Sequence, residues 1–458
     1  MAFEKFFNPE SVALIGATED PKKITSMIMK NLIEMGFEGR LVPVNPKYKE
    51  VFGFMCYSSL LDIKEQIDLT VIAIPSNLVP EVLRQQAICG IKNAIIVSGG
   101  FGELGDKGIA LEEEIKSISK EEGISVMGPN CIGVLDNYSN FSSSFLPWTK
   151  VKRPAKGNLS ILSQSGSFAT CVLDMLSQEG MGVSKVVNYG NRADVGESEM
   201  IKYLMDDEST YVIGIYMESV DDGRRFIDAS SSCSKSKPIV ALKVGRRDSG
   251  IEAVRSHTGA IAGKYEIYKA AFKKSGIIEV NGFTEFLDAC KVLLMQKPAR
   301  GNKILIITNG GGVGVVVSDM CSVNGLDVVS TPSNVKEVLS KHFPEFFILN
   351  NPIDLTGSAG DEDYDTALKI ALVENDYFDA AIIIPLMHPQ TMTEGVVDII
   401  SQSAKESGKP VVICTISGIY TKKIKELFES KGLPVFPSPE RSVKAMNILV
   451  ERGKMDGC

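Results

Sequence analysis

Short apolar stretches alternate with amphipathic stretches over the first 150 residues, which predicts a parallel β-sheet with helices on both faces. The turns that follow the apolar stretches consist mainly of Gly, Pro, Ser and Asn. Because the carboxyl ends of parallel strands meet at one edge of a sheet, we expect exposed backbone amides there, where open α/β sheets bind ligands. The predicted strands are 11–15, 41–44, 69–74, 94–97 and 124–127.

The same alternation returns twice later in the chain, with predicted strands at 158–162, 183–188, 212–217 and 238–244, and then at 303–308, 380–384 and 411–415. The fold class is therefore predicted as α/β throughout. We expect a Rossmann-like domain over 1–150, followed by two flavodoxin-like domains over 151–298 and 299–458. Residues 138–157, with Pro147, Pro154 and Gly157, have the composition of a linker.

Composition and net charge argue against several classes of protein, including nucleic-acid-binding and membrane proteins. The chain has 458 residues, 44% of them hydrophobic and 23% charged, as in a soluble globular protein. Its net charge of -8 argues against a nucleic acid or an anionic membrane as partner. The nine cysteines include no CxxC pair, which predicts free thiols and no metal site. With no signal-peptide pattern and no apolar run long enough to span a bilayer, we expect a cytoplasmic protein.

The chain matches neither of two common nucleotide-binding motifs, the P-loop and the nicotinamide-binding motif. The segment 259–265 resembles a P-loop but is one residue short, and Tyr265 stands where the Mg²⁺-binding hydroxyl belongs. A nicotinamide site would need a full G-x-G-x-x-G after the first strand and an acidic residue after the second, where Val44-Asn45-Pro46 stands instead. An oxidoreductase is therefore disfavoured.

Coenzyme A, which carries its phosphates differently, fits the first domain better. Lysines near the first two strand ends are candidate partners for those phosphates, although any single one is more often a solvated surface lysine: Lys22, Lys23 and Lys47. The predicted CoA contacts are Gly16, Ala17, Thr18, Lys23, Asn45, Pro46, Lys47, Ile74, Pro75, Ser98, Gly99 and Asn130.

A serine-rich turn at 163–167 joins a predicted strand to a predicted helix. The free N–H groups and the dipole of a helix N-terminus attract anions, so Ser165, Gly166 and Ser167 are a candidate phosphate site. Simple helix capping would need only one of these serines. A similar turn in the third domain, Gly310 to Gly312, is more simply explained by close packing of helix and strand.

His257 is one of only three histidines and is followed almost entirely by small residues. Small side chains next to an imidazole leave space for a reactant to approach the ring or for the ring to move. A neutral imidazole is also a nucleophile near pH 7. A packed or surface histidine is the alternative. Glu218 ends a predicted strand at the same edge as the serine turn and could orient the ring, or could be an ordinary strand-end acid. His342 and His388 are interpreted as structural.

Five motifs in one order resemble the NDP-forming acyl-CoA synthetases, the superfamily of succinyl-CoA synthetase. They are the Gly16-Ala17-Thr18 turn, Gly128-Pro129-Asn130-Cys131, the serine turn, Glu218, and Ser256-His257-Thr258-Gly259-Ala260. The third domain, with its glycine turn and Asn351-Pro352-Ile353-Asp354, is similar to that of α subunits of ADP-forming acetate–CoA ligases.

The resemblance implies an enzyme that converts an acyl-CoA, phosphate and ADP into the free acid, CoA and ATP through an acyl phosphate. By this analogy His257 carries the phosphoryl group as phosphohistidine, Glu218 orients the ring, and Ser165, Gly166 and Ser167 hold the phosphate. ADP and Mg²⁺ would bind mainly in an ATP-grasp domain, for which this chain has no room. A separate ATP-grasp β subunit and an α2β2 heterotetramer are therefore implied. The alternatives are a ligase for another acid and a non-catalytic CoA-binding regulator.

Overall fold

The structure is a computed structural model that describes residues 3–252, 263–416 and 418–457. The chain forms two compact units, Met1–Phe283 and Thr284–Cys458. In the described part the helices are α1 (Ile24–Glu34), α2 (Val79–Ile88), α3 (Asp106–Glu122), α4 (Gly166–Gln178), α5 (Glu197–Asp206), α6 (Gly223–Cys233), α7 (Tyr265–Ser275), α8 (Phe283–Met295), α9 (Gly311–Val323), α10 (Ser333–Leu339), α11 (Asp361–Leu368), α12 (Gly395–Ser407), α13 (Ile419–Ser430) and α14 (Pro439–Asp456).

The strands in the described ranges form three large sheets and one small hairpin. They are β1 (Ser11–Ile15), β2 (Arg40–Val44), β3 (Glu50–Val51), β4 (Phe54–Met55), β5 (Leu69–Ile72), β6 (Asn93–Ile96), β7 (Ser125–Met127), β8 (Gly133–Asp136), β9 (Phe141–Ser142), β10 (Lys156–Ser163), β11 (Val183–Asn188), β12 (Val212–Met217), β13 (Ile239–Lys243), β14 (Ile277–Val280), β15 (Ile304–Thr308), β16 (Ile353–Asp354), β17 (Ala380–Ile384), β18 (Val411–Cys414) and β19 (Val435–Phe436).

The first sheet has the order β2-β1-β5-β6-β7, and each of its neighbouring pairs is parallel. All five residues of β1 are buried, as expected for a strand covered by helices on both faces. The chain runs outward from β1 to β2 on one side and, through β5, to β7 on the other. The direction of winding therefore reverses at β1, and a crevice opens outside the carboxyl ends of the strands there.

The second sheet, β14-β13-β12-β10-β11-β8-β9, is parallel from β14 to β11 and antiparallel at its other end. The expectation of purely parallel pairing was therefore wrong for β8 and β9. The predicted linker over 138–157 was also wrong in part, because β9 lies inside it and Phe141 is fully buried. The domain boundary at residue 150 stays a prediction; β8 and β9, which precede it, belong to the second sheet.

The second unit contains a third sheet, β16-β15-β17-β18-β19, whose strands are all parallel. Its apolar strands and the surrounding helices share one core. Within this unit, Lys291 Nζ lies 2.9 Å from Glu429 Oε1, and the Arg441 guanidinium donates two hydrogen bonds to the buried carboxylate of Asp288. The α/β fold class is confirmed for the whole chain.

Candidate functional site

A cavity of about 750 Å³ lies outside the carboxyl ends of β1, β2 and β5, at the point where the winding of the first sheet reverses. This is the size of a pocket for a large organic ligand. Eight of the predicted CoA contacts line it: Gly16, Thr18, Lys23, Asn45, Pro46, Lys47, Ile74 and Pro75.

The wall of this cavity depends on Gly16. The residue has a φ of +89°, and an added Cβ would lie 2.8 Å from Ala73 O, so only glycine fits without strain. Its N–H donates to Val44 O at 2.8 Å, which joins the turns after β1 and β2. Asn45 Nδ2 donates to Ala17 O at 2.8 Å and locks the same two turns together.

The remaining predicted CoA contacts do not line the cavity. Ala17 is buried behind it. Ser98 is also buried, where its hydroxyl donates to Ile74 O at 2.6 Å and accepts from Ile74 N at 3.0 Å, so it shapes the wall from behind. Gly99 and Asn130 adjoin each other, and Asn130 Nδ2 donates to Asn191 Oδ1 at 3.3 Å.

The cavity also has lining residues that the sequence did not predict, some at the strand ends, such as Ile15 and Val44, and others outside them. Tyr48, whose hydroxyl accepts from Thr18 Oγ1 at 3.3 Å, follows β2 by a few residues. Two further groups line it: Ser58, Ser59 and Leu60 lie between β4 and β5, and Leu78, Glu81, Val82 and Gln85 lie in α2 or directly before it. No local pattern marks these residues, because they reach the cavity only through tertiary packing.

The serine turn forms a second constellation, at the carboxyl edge of the second sheet. Ser165 is the N-cap of α4, and its hydroxyl accepts from Phe168 N at 3.3 Å and lies 3.0 Å from Ser167 Oγ. Ser163 Oγ donates to Ser165 O at 2.7 Å, which fixes the turn from the strand side. Ser165 therefore caps the helix, and Gly166 and Ser167 are the first two residues of α4.

Glu218 lies beside this turn. The register pairs Ser163 with Tyr216, so the end of β12 is next to the end of β10. Gln164 Oε1 accepts from the N–H groups of Glu218 and Ser219, which joins the serine turn to the strand end directly. The Glu218 side chain is only 4% exposed, and its Oε2 has no hydrogen-bond partner among the described residues.

The environment of Glu218 is poorly solvated. Tyr216 Oη lies 3.5 Å from Glu218 Oε1, and burial together with this carboxylate raises the pKa of Tyr216. The tyrosine therefore stays protonated and can donate a hydrogen bond. A buried carboxylate with a free acceptor can fix the N–H of an imidazole.

His257 lies outside the described residues, which have a gap at 253–262. The structure therefore gives no distance between His257 and Glu218. The segment begins after β13 and ends before α7, both in the first unit.

Within the described ranges, no cluster of three or more His, Cys, Asp or Glu residues could hold a metal ion. The same ranges contain no helix with the length and apolar character of a membrane span.

Family models match the chain in three successive segments. A CoA binding domain covers residues 10–137, a succinyl-CoA ligase like flavodoxin domain covers 156–293, and a Ligase-CoA domain covers 304–449. Subunit alpha of acetate–CoA ligase [ADP-forming] I from Pyrococcus furiosus is 36% identical, over 99% of this chain and 98% of that relative. The chain belongs to the ADP-forming acetate–CoA ligase family.

Other members of the ADP-forming acetate–CoA ligase family agree with this assignment. The dinucleotide-forming acetyl-coenzyme A synthetase 1 of Ca. Korarchaeum cryptofilum, solved in complex with phosphate and ADP, has a TM-score of 0.92 at 33% identity, covering 100% of this chain and 98% of that chain. Acetate–CoA ligase [ADP-forming] I from Archaeoglobus fulgidus is 37% identical over 99% of this chain, which spans 64% of that relative. The resemblance inferred from the motifs is confirmed.

Proposed function

We propose that this chain is the α subunit of an ADP-forming acyl-CoA ligase, with acetyl-CoA as its first candidate substrate. The observation that carries the proposal is the junction of the serine turn and Glu218 through Gln164, in a chain that is similar along its whole length to such a subunit. The reaction converts an acyl-CoA, phosphate and ADP into a carboxylic acid, CoA and ATP.

CoA binds in the cavity of the first sheet. Its size supports a ligand of this class, and Lys23 and Lys47 at its rim supply positive charge for the phosphates. The Gly16 turn forms part of the wall that the ligand contacts. Ser98, Gly99 and Asn130 remain predicted contacts for the part of the ligand that extends toward the second sheet.

The serine turn holds inorganic phosphate. A phosphate oxygen attacks the thioester carbonyl carbon, the C–S bond breaks, and CoA leaves as a thiolate that takes up a proton. The N–H groups at the start of α4 and the Ser165 and Ser167 hydroxyls stabilise the negative charge of phosphate and of the acyl phosphate product.

His257 then attacks the phosphorus of the acyl phosphate through a ring nitrogen, and the carboxylate leaves. Glu218 accepts the N–H of the other ring nitrogen and so selects the reactive tautomer. The phosphohistidine finally transfers its phosphoryl group to ADP. Splitting the transfer into two steps keeps the bulky CoA and ADP ligands from having to meet directly.

ADP and Mg²⁺ bind mainly in a separate ATP-grasp β subunit in this proposal, within an α2β2 heterotetramer. The name of the Pyrococcus furiosus relative as a subunit, and the greater length of the Archaeoglobus fulgidus relative, support a second component.

The test combines the purified chain with candidate ATP-grasp subunits and measures ATP formation from ADP, phosphate and a panel of acyl-CoAs. We expect ATP formation with at least one short-chain acyl-CoA. His257→Ala should abolish it, whereas Lys185→Met, which alters a buried lysine in β11 away from the site, should retain it. Tight CoA binding without any ATP formation would favour a non-catalytic regulator instead.

A further inference from the structure

A buried lysine that the mechanism does not use lies directly behind Glu218. Lys243 ends β13, pairs with Met217 in the sheet register, and is 1% exposed. Its Nζ donates to Glu218 O at 2.8 Å and also to Val244 O. None of the acidic groups described in the structure forms an ion pair with it. A buried ammonium group without an acidic partner is costly to retain.

Tyr268 of α7 completes this arrangement. Its ring lies 4.5 Å from Lys243 Nζ, and its hydroxyl accepts from Val220 N at 3.1 Å. The same ring faces the point where the chain leaves the His257 segment, since a Cβ added to Gly263 would lie 3.3 Å from Tyr268 Cε2. Lys243 belongs to β13, which precedes the His257 segment, and Tyr268 belongs to α7, which follows it, so their contact links the two elements that flank that segment.

The main chain around Glu218 is therefore held on both sides. Gln164 accepts from its N–H, Lys243 donates to its carbonyl oxygen, and Tyr268 accepts from the N–H two residues later. We propose that Lys243, together with Tyr268, is a positioning residue that fixes the Glu218 carboxylate relative to β13 and α7, the two elements that flank the segment carrying His257. This inference rests on the proposed function, because it gives Glu218 a role in phosphoryl transfer.

The charge on Lys243 is sensitive to its surroundings. Burial, assisted by the nearby Arg246, lowers its pKa to about 8, while Glu218 and Glu279 of β14 oppose this shift. Tyr268 is the other titratable group that faces the ammonium, and burial raises the pKa of its hydroxyl. The cation–π contact with Tyr268 therefore weakens as Lys243 loses its proton above about pH 8.

A double-mutant cycle between Lys243→Met and Glu218→Gln tests the proposal. The full chain is incubated with acetyl-CoA and labelled phosphate, and the rate of acid-labile labelling is measured. We expect a loss on the order of 10⁴-fold for Glu218→Gln, by comparison with other orienting carboxylates. Lys243→Met should lose about 10- to 100-fold, as for other groups that orient a reactive residue. The double variant should match Glu218→Gln within about threefold.

CoA affinity, measured by calorimetry, should be unchanged in Lys243→Met, because the cavity belongs to the first sheet. Lys185→Met is the matched control, since Lys185 is also buried in the second sheet but pairs with Asp136 and Asp207. It should lower the melting temperature and leave the labelling rate within about threefold. Should Lys243→Met fail to fold, Tyr268→Phe serves instead, and we expect about a fivefold loss of rate from its missing hydrogen bond.

A normal labelling rate in Lys243→Met, with Glu218→Gln impaired, would overturn the positioning role alone. Fully multiplicative losses in the double variant would also overturn it, because Lys243 would then act independently of Glu218. Near-normal labelling in both Glu218→Gln and His257→Ala, or no labelling of the wild-type chain, would instead overturn the proposed function and this inference with it.

Discussion

Replacing Gly16 by alanine tests whether the cavity of the first sheet is the CoA site. An added Cβ would lie 2.8 Å from both Ala73 O and Ile74 Cγ2, whereas ordinary contact begins at 3.4 Å. The main chain therefore has to move by about 0.6 Å, the difference between these distances. Because Gly16 N donates to Val44 O, the movement passes to the neighbouring turn that lines the same cavity.

The strained φ of +89° adds a cost of about 1–3 kcal/mol to the free energy of folding. Gly36→Ala provides the matched control, since Gly36 also has a positive φ, of +70°, but a Cβ there would meet nothing within 4 Å. The control should lose only about 1 kcal/mol of stability. We expect Gly16→Ala to lose more stability and, in addition, roughly 10- to 100-fold in CoA affinity through misplacement of the turn.

Urea unfolding gives the two stabilities, and calorimetric titration gives the affinities for CoA and for NAD. The wild-type chain should bind CoA and not NAD, and Gly36→Ala should bind CoA within about twofold of wild type. Unchanged CoA affinity in a folded Gly16→Ala variant would refute the assignment of the cavity. Equal losses of affinity in both variants would attribute the effect to stability rather than to the site.

Three further predictions follow from buried groups. The pKa of Lys243 is lowered to about 8 in the folded chain, so the unfolded chain binds more protons above that pH. The free energy of unfolding should therefore rise between about pH 8 and 10.5. Urea unfolding should show this rise for the wild type but not for Lys243→Met. Burial raises the pKa of Cys131 to about 12, so mass spectrometry after alkylation should find the exposed Cys89 and Cys171 modified before Cys131. Faster labelling of Cys131 would contradict its burial. Gly453→Ala would bring a Cβ to 1.8 Å from Ala299 O, so it should lower the stability of the second unit by about 2 kcal/mol or more, and an unchanged urea midpoint would contradict this packing.

The parallel sheets could be predicted from sequence because each strand is a short apolar run that ends in a turn. The antiparallel strands could not. β9 contains only Phe141 and Ser142, which is too short to show an alternating pattern, and prolines nearby gave its surroundings the composition of a linker. Its pairing with β8 depends on burial of Phe141, which is a tertiary property.

The edge that carries Ser165 and Glu218 could also be predicted, since both follow strands of one parallel sheet. The contacts that join them could not, because Gln164 and Glu218 are 54 residues apart in sequence. They meet only through the register of β10 with β12. The burial of Lys243 could not be predicted either, because a lysine at a strand end gives no sign in the sequence that its ammonium group is buried.

In the proposed mechanism, His257 carries the phosphoryl group during turnover. The most direct measurement incubates the full chain with acetyl-CoA and labelled phosphate and then locates the label by tandem mass spectrometry under alkaline conditions. We expect acid-labile, base-stable label on His257, its absence from His257→Ala, and its transfer to ADP when the ATP-grasp subunit is added. Label that persists in His257→Ala, or that lies on any other residue, would contradict the phosphohistidine mechanism.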